Sequence, residues 1–365
     1  MVTIPLYKPY ITEDEHRAVS RVLRGGVLSR GPEVENFEQE FAEYMGKSHA
    51  IAVNNGTAGL HVAIKALGWS AGDRIITTPF SFIASANSLL FENIEPVFAD
   101  IGDDYNIDPT HIEKKLTKNT RGILLVHIFG LPAYSKHLHS LVRGHNLEVI
   151  EDACEAIERP SDDFMVAKLG ACTVYGFYEN KQLTTGGEGG AVITNNQALA
   201  ERCRSLRNQG NIHHASWLNH IQLGYNYRMT EMQAAFGRVQ LKRLNWALKQ
   251  RELIADRYED LFEGVPGVKI PSVHPRRSWF VYPVQFETKR ARDKVLDDLH
   301  SHGIAAREYF APIHLYAHFR KFGYKPGDFP KTEYASQTTI VIPFFVGMTY
   351  HQQDRVATVI ASSLK

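Results

Sequence analysis

Lys181 stands in the run Tyr178-Glu179-Asn180-Lys181-Gln182-Leu183-Thr184-Thr185-Gly186-Gly187-Glu188-Gly189-Gly190, just after the β-branched segment Ala171-Cys172-Thr173-Val174-Tyr175. A solvated helix face would offer several interchangeable charges, whereas here one cation lies between a strand-like segment and a glycine run. In a partly dry pocket such an amine loses basicity, becomes available as the free base and condenses with an aldehyde to form a Schiff base. The alternative is a loop lysine in water, and this segment taken alone favours it. The rest of the chain reverses that preference.

Upstream, Leu147-Glu148-Val149-Ile150-Glu151-Asp152-Ala153-Cys154-Glu155 reads as a short buried strand that carries acidic residues to its C-terminal end. Ligands of parallel α/β sheets bind at that end. If the amine holds a pyridine-aldehyde cofactor, the ring nitrogen needs an anion beside it to stay protonated and electron-withdrawing. Asp152 is placed to be that anion, or else it caps a following helix. Asn54-Asn55-Gly56-Thr57-Ala58-Gly59 lies between an apolar strand, Ala50-Ile51-Ala52-Val53, and an apolar helix beginning near Thr57. The N–H groups of that helix start, with the Thr57 hydroxyl, would cradle an anion. The same turn also opens many helices as an ordinary cap, and it is neither a Walker loop nor a GxGxxG fingerprint. Pro79-Phe80-Ser81-Phe82 follows the strand Arg74-Ile75-Ile76-Thr77 and offers either an aromatic face to a planar ring or a core phenylalanine.

In this order the pieces resemble the DegT/StrS family of nucleotide-sugar aminotransferases, which use pyridoxal phosphate (PLP) and belong to PLP fold type I. The resemblance covers nearly the whole chain. It rests on Ile4-Pro5-Leu6, Gly31-Pro32, Asn55-Gly56-Thr57-Ala58, Val126-His127-Ile128-Phe129-Gly130, Ile150-Glu151-Asp152-Ala153-Cys154-Glu155 and Asn180-Lys181. It continues through Thr184-Thr185-Gly186, Glu188-Gly189-Gly190, Arg207-Asn208-Gln209-Gly210 and Leu223-Gly224-Tyr225-Asn226-Tyr227-Arg228-Met229. The resemblance implies that Lys181 forms the Schiff base and shuttles protons, and that Asp152 pairs with the pyridine nitrogen. It implies that Glu155 lies near the cofactor's 3-hydroxyl, where relatives often carry Gln or His, and that Phe82 stacks on the ring. Gly56, Thr57 and Ala58 would bind the phosphate, which Asn226 would reach from the neighbouring subunit of a homodimer. Ser29, Arg228, Tyr309 and His314 are implied substrate contacts, with a structural role equally open for His314.

The implied activity moves an amino group from an amino acid, with L-glutamate the expected donor, to a keto group on a nucleotide-linked sugar. Relatives of this kind serve polysaccharide or antibiotic-sugar biosynthesis. Two rivals stay open: a PLP-dependent sugar lyase or dehydratase, and a non-catalytic regulator on the same fold. Relatives that dehydrate sugars replace the lysine with histidine, and Lys181 argues against that branch. Two departures stand out. Relatives usually carry a phosphate-binding serine five residues before the lysine, whereas this chain has Gly176. A serine there is expected to be accepted. The glycine run is also one residue longer than usual, with Gly186 and Gly187 both preceding Glu188, which adds backbone freedom beside the lysine loop.

The 365 residues suffice for a large domain and a smaller one. With 41 Lys and Arg against 40 Asp and Glu, and with the basic residues scattered, nucleic acid and membrane surfaces are not expected partners. The N-terminus lacks an apolar signal core and no stretch approaches membrane-spanning length, so a cytoplasmic protein is expected. The 3 cysteines, Cys154, Cys172 and Cys203, show no zinc or disulfide spacing and are expected to be reduced and mostly buried. Short apolar runs alternate with amphipathic ones from about residue 49 to 195. The expected fold is therefore α/β, with a mainly parallel, seven-stranded type of sheet between helices. Residues 209–216 read as a polar loop that orders around substrate or partner, and His213 and His214 lack a third ligand for a metal. One long helix is expected over residues 229–261. A large cofactor-binding domain over residues 1–245, with an N-terminal helical segment, is followed by a smaller α+β domain over 246–365. The latter is expected to hold a strand at 279–284 and a closing helix at 351–364.

Overall fold

Apolar, β-branched runs between residues 49 and 194 pair into one seven-stranded sheet. Its strands are β1 (His49–Val53), β2 (Arg74–Thr77), β3 (Pro96–Phe98), β4 (Thr120–Val126), β5 (Glu148–Asp152), β6 (Cys172–Gly176) and β7 (Gly190–Thr194). The structure, a computed structural model, describes residues 3–159, 165–212, 218–271 and 274–365. The strand order is β1-β7-β6-β5-β4-β2-β3. β2 to β6 pair in parallel, while β7 is antiparallel to both β1 and β6. Both faces are covered, so these strands read as continuous apolar runs such as Ile123-Leu124-Leu125-Val126, all buried.

This topology decides where chemistry can sit. β1, β2, β4, β5 and β6 all end at one edge of the sheet, and β7, running the other way, begins there. Val53 and Gly176 both pair with Gly190 at that edge. The turns after β1, β4 and β5 and the whole loop between β6 and β7 therefore converge.

A second, antiparallel sheet follows in the order β10-β11-β9-β8, formed by β8 (Val268–Lys269), β9 (Tyr282–Phe286), β10 (Arg307–Glu308) and β11 (Thr339–Ile342). The helices Lys289–Ser301 and Tyr350–Ser363 bury Val295, Leu299, Val356 and Ile360 with its Tyr282, Val284 and Ile340. The N-terminus joins the same core through Ile4, which bridges to Ile304.

Two expectations are corrected. The long helix is two, Glu231–Lys242 and Leu244–Phe262, separated by non-helical Arg243. Neither Gly nor Pro marks the break. Arg243 instead donates to the Thr12 hydroxyl at 3.0 Å and pairs with Glu15 at 2.8 Å, which ties the junction to the helix Glu13–Gly25. The strand expected at 279–284 begins at Tyr282, because Trp279 adopts a left-handed φ of 45° and the Ser278 N–H is held by the Gly130 carbonyl. His213 and His214, and with them part of the polar loop expected at 209–216, lie outside the described residues. The three cysteines are free, Cys172 and Cys203 buried and Cys154 half-buried. No helix among the described residues is long and apolar enough to cross a membrane.

Candidate active site

The loop between β6 and β7 is closed at its base, where the Phe177 N–H donates to the Gly189 carbonyl and the Thr185 N–H to the Phe177 carbonyl. Its glycines are conformational requirements. Gly186 and Gly187 have φ of 85° and 125°, and a Cβ on Gly189 would stand 2.0 Å from the Thr185 hydroxyl oxygen. That hydroxyl donates to the Glu188 carbonyl and locks the turn. Half-buried Lys181 is thereby held with its Nζ 3.7 Å from the centroid of the Phe280 ring. Next to it, Gln182 donates from Nε2 to the Glu155 carbonyl at 2.7 Å, binding the lysine loop to the turn after β5.

Asp152 closes β5 and is 4 % exposed. The Ser85 hydroxyl donates to its Oδ2 at 2.7 Å, and the Cys154 N–H donates to its Oδ1 at 3.1 Å. Among the described residues no helix begins between β5 and β6, so the capping alternative gives way to a local turn closed by the side chain. Glu155 is also buried and accepts the Phe129 N–H at 2.9 Å through Oε2. Burial pushes its carboxyl up to about 7, the nearby Asp152 adds to that, and Lys181 and the Phe129 N–H oppose it.

After β1, Asn55 caps the helix Gly56–Leu67 by accepting the Ala58 N–H at 2.8 Å. The N–H groups of Gly56 and Thr57 begin that helix without an intrahelical carbonyl. The Thr57 hydroxyl makes no hydrogen bond among the described residues. A Cβ on Gly56 would meet Cys154 Sγ at 2.8 Å, and one on Gly176 would meet Cys154 Cβ and Sγ at 3.2 Å. The helix start, the end of β6 and the turn after β5 are thus in contact around one thiol. Burial and then Asp152 push that thiol well above its ordinary pKa.

A lysine over an aromatic ring, a buried carboxyl with two donors and an open helix N-terminus thus stand at one sheet edge. The sequence profile of the DegT/DnrJ/EryC1/StrS aminotransferase family matches residues 9–361. The chain belongs to that family. It is 35% identical to the Bacillus subtilis spore coat polysaccharide biosynthesis protein SpsC, over 99% of this chain and 97% of that protein. With the GDP-perosamine synthase of Vibrio cholerae it shares 32% identity over 98% of each. DesV of S. venezuelae, solved in complex with a ketimine intermediate, superposes with a TM-score of 0.91 at 30% identity, covering 99% of this chain and 98% of that one.

In this DegT/DnrJ/EryC1/StrS aminotransferase, Lys181, Asp152, Glu155 and Tyr309 come together. Tyr309 is half-buried, its hydroxyl pushed up to about 12 by burial and then by the charge of Glu155. Phe82 is 61% exposed where the chain enters the helix Ala84–Leu90, while Phe80 is the core residue. Arg228 pairs with Val53 at the end of β1 and donates to the Asn208 side chain at 2.9 Å. Exposed Asn226 pairs with Asn208, and exposed Ser29 with Thr230. His314 has no exposed surface, lies edge-on to Phe329 and bonds to Glu333 at 3.1 Å. Those contacts favour the structural alternative for it. Ser85, with Ser81 hydrogen-bonded to it at 2.9 Å, and Phe280 escaped the sequence reading. Ser81 and Ser85 are four positions apart, a visible signal, but only the topology brings Ser85 to Asp152.

Proposed function

We propose that this aminotransferase binds PLP and moves an amino group from an amino acid, L-glutamate the expected donor, to a keto group of a nucleotide-linked sugar. The observation that carries the proposal is the lysine over Phe280 at the same sheet edge as buried Asp152 and the open start of the helix Gly56–Leu67. The residues present fit the cofactor. Its aldehyde would meet Lys181, its pyridine nitrogen Asp152 and its phosphate the N–H groups of Gly56 and Thr57 with the Thr57 hydroxyl. Ala58 contributes by packing, since Asn55 already accepts its N–H.

When bound, PLP supplies an electron-withdrawing ring that stabilises a deprotonated carbon. With the cofactor bound, Lys181 Nζ would take the proton from the donor's α-carbon as general base and, as general acid, deliver it to the cofactor carbon that had carried the aldehyde. Phe280 keeps water from one face of that amine. Asp152, fixed by Ser85 and the Cys154 N–H, holds the proton on the ring nitrogen. Phe82, Ser29, Arg228 and Tyr309 are proposed to line the ring and the substrate. Residues 1–245 and 246–365 would form the two units that enclose the site in a cytoplasmic homodimer.

Incubation with PLP, L-glutamate and a panel of nucleotide keto-sugars tests the activity. The expected product has an amine in place of the ketone, with one 2-oxoglutarate released per product. Ketone consumed without stoichiometric glutamate would favour the lyase reading, and no turnover with any keto-sugar the regulator. For the dimer, Asn226 is proposed to serve the partner's phosphate. Inactive Lys181→Ala and impaired Asn226→Asp chains, co-refolded, should then regain about a quarter of wild-type activity, since about half the dimers are hybrids with one intact site. No recovery in verified hybrids would return Asn226 to its own chain.

A further inference from the structure

Two buried carboxyls share this centre, and they are not equivalently supported. Asp152 accepts two hydrogen bonds, one on each oxygen. Glu155 accepts one, from the Phe129 N–H to Oε2, and its Oε1 has no partner among the described residues. When like charges are buried together, the carboxyl with fewer donors takes the proton. The other charged or titratable groups acting on Glu155 are Lys181 from the β6–β7 loop, Cys154 beside it and Tyr309 from the segment after β10.

Strand order fixes which edge of a bound cofactor Glu155 faces. The helix start at Gly56 contacts β6 through Gly176, on one side of β5. Glu155 is anchored to Phe129, which follows β4 on the other side of β5. A ring with its nitrogen at Asp152, its aldehyde at Lys181 and its phosphate at Gly56 turns its phenolic oxygen toward the β4 side. That oxygen is an anion in the lysine-bound cofactor, and a second anion beside it would be repelled.

We propose that Glu155 is a carboxylic acid in the working enzyme, and that its O–H donates a hydrogen bond to the phenolic oxygen of the cofactor. This rests on the PLP reading above. Asp152 and Glu155 then form a split pair, one holding the ring proton as a carboxylate, the other donating as an acid. The burial that lifts the Glu155 carboxyl to about 7 acts in the same direction. What the inference adds to the place the resemblance already implies for Glu155 is its protonation state: it titrates where an amide would not.

The test follows the visible band of the PLP-loaded protein through a pH titration in wild type, Glu155→Gln and Glu155→Ala. Wild type should show a transition at or above neutral pH that is absent in Glu155→Gln, whose amide donates the same bond without titrating. Activity near neutrality should stay within about threefold in the Gln variant and fall roughly tenfold in the Ala variant, the scale of one hydrogen bond. Infrared pH-difference spectra should show a protonated carboxyl band lost in Glu155→Gln. Identical titrations in wild type and Glu155→Gln, or no such infrared band, would overturn the proposal while leaving PLP binding intact. Failure of wild type to form any visible band, or to be labelled by borohydride in the presence of PLP, would remove the PLP reading and this inference with it.

Discussion

Beside β6 and β1 the reaction centre is held by contact distance, whereas beside β5 and β4 it is held by hydrogen bonds to buried carboxyls. On the first side Gly56 and Gly176 close on Cys154 with no room for a methyl group at Gly56 and little at Gly176. On the second, Ser85, the Cys154 N–H and the Phe129 N–H each aim a donor at a carboxyl oxygen. The contact-limited side should be sensitive to added volume and indifferent to small changes of polarity. The carboxyl side should behave the opposite way, because an isosteric loss of charge removes preorganised electrostatics. Lys181 stands between them and answers to neither rule, since its amine is the reacting atom.

The largest effect is therefore expected at Lys181. Lys181→Ala should lower transamination by at least about a thousandfold, within the range for a lost general acid–base group, while the protein still takes up PLP without fixing it. Intact-mass analysis after borohydride reads the second half; turnover near wild type would reject the assignment. Asp152→Asn comes next, with a fall in kcat of roughly a hundredfold and a smaller change in PLP affinity. A near-normal rate would reduce Asp152 to its turn-closing role. Ser85→Ala probes the same carboxyl through its donor and should cost roughly tenfold in kcat, the scale of one bond to a charged acceptor. A loss as large as that of Asp152→Asn would show that Ser85 does more than hold the carboxylate.

The sequence displayed the reacting residues because their signals are local. Lys181 follows a strand and precedes glycines, Asp152 ends a strand, and Gly56-Thr57 opens a helix, so each could be placed with little help from the fold. Strands β1, β2, β5 and β6 were legible for the same reason, as apolar runs bounded by turn residues. What supports the reacting residues was not legible. Ser85 meets Asp152 across 67 positions of sequence, and Phe280 reaches Lys181 from the segment just before β9. The break at Arg243 is imposed by Glu15 and Thr12 from the N-terminal helix, without a local breaker. The left-handed turn at Trp279 shortened an apolar run that reads as strand throughout. His314 sits in a segment that resembles a pocket wall, yet its surroundings bury it against Phe329.

Gly176 is where the two sides of the comparison meet, and where the expectation that serine is simply accepted needs refining. The obstacle is not backbone conformation, since Gly176 is not among the glycines with left-handed φ. It is Cys154, whose Cβ and Sγ would both lie 3.2 Å from an added Cβ. Gly176→Ser alone should destabilise the loaded protein by about 1 kcal/mol, the low end for overpacking. Cys154→Ala alone should also cost about 1 kcal/mol, by opening a small void beside Gly56. Together they exchange volume across one contact, so the double variant should recover about 1 kcal/mol relative to the sum of the two. The Cys154 thiol is held far above its ordinary pKa by burial and by Asp152, so it is neutral and the cycle reads volume rather than charge. Denaturant unfolding of the four PLP-loaded proteins measures the coupling, and PLP affinity reports whether the new hydroxyl reaches the phosphate. Strict additivity, within about 0.3 kcal/mol, would show that the β6 side yields independently at each position and is not limited by contact.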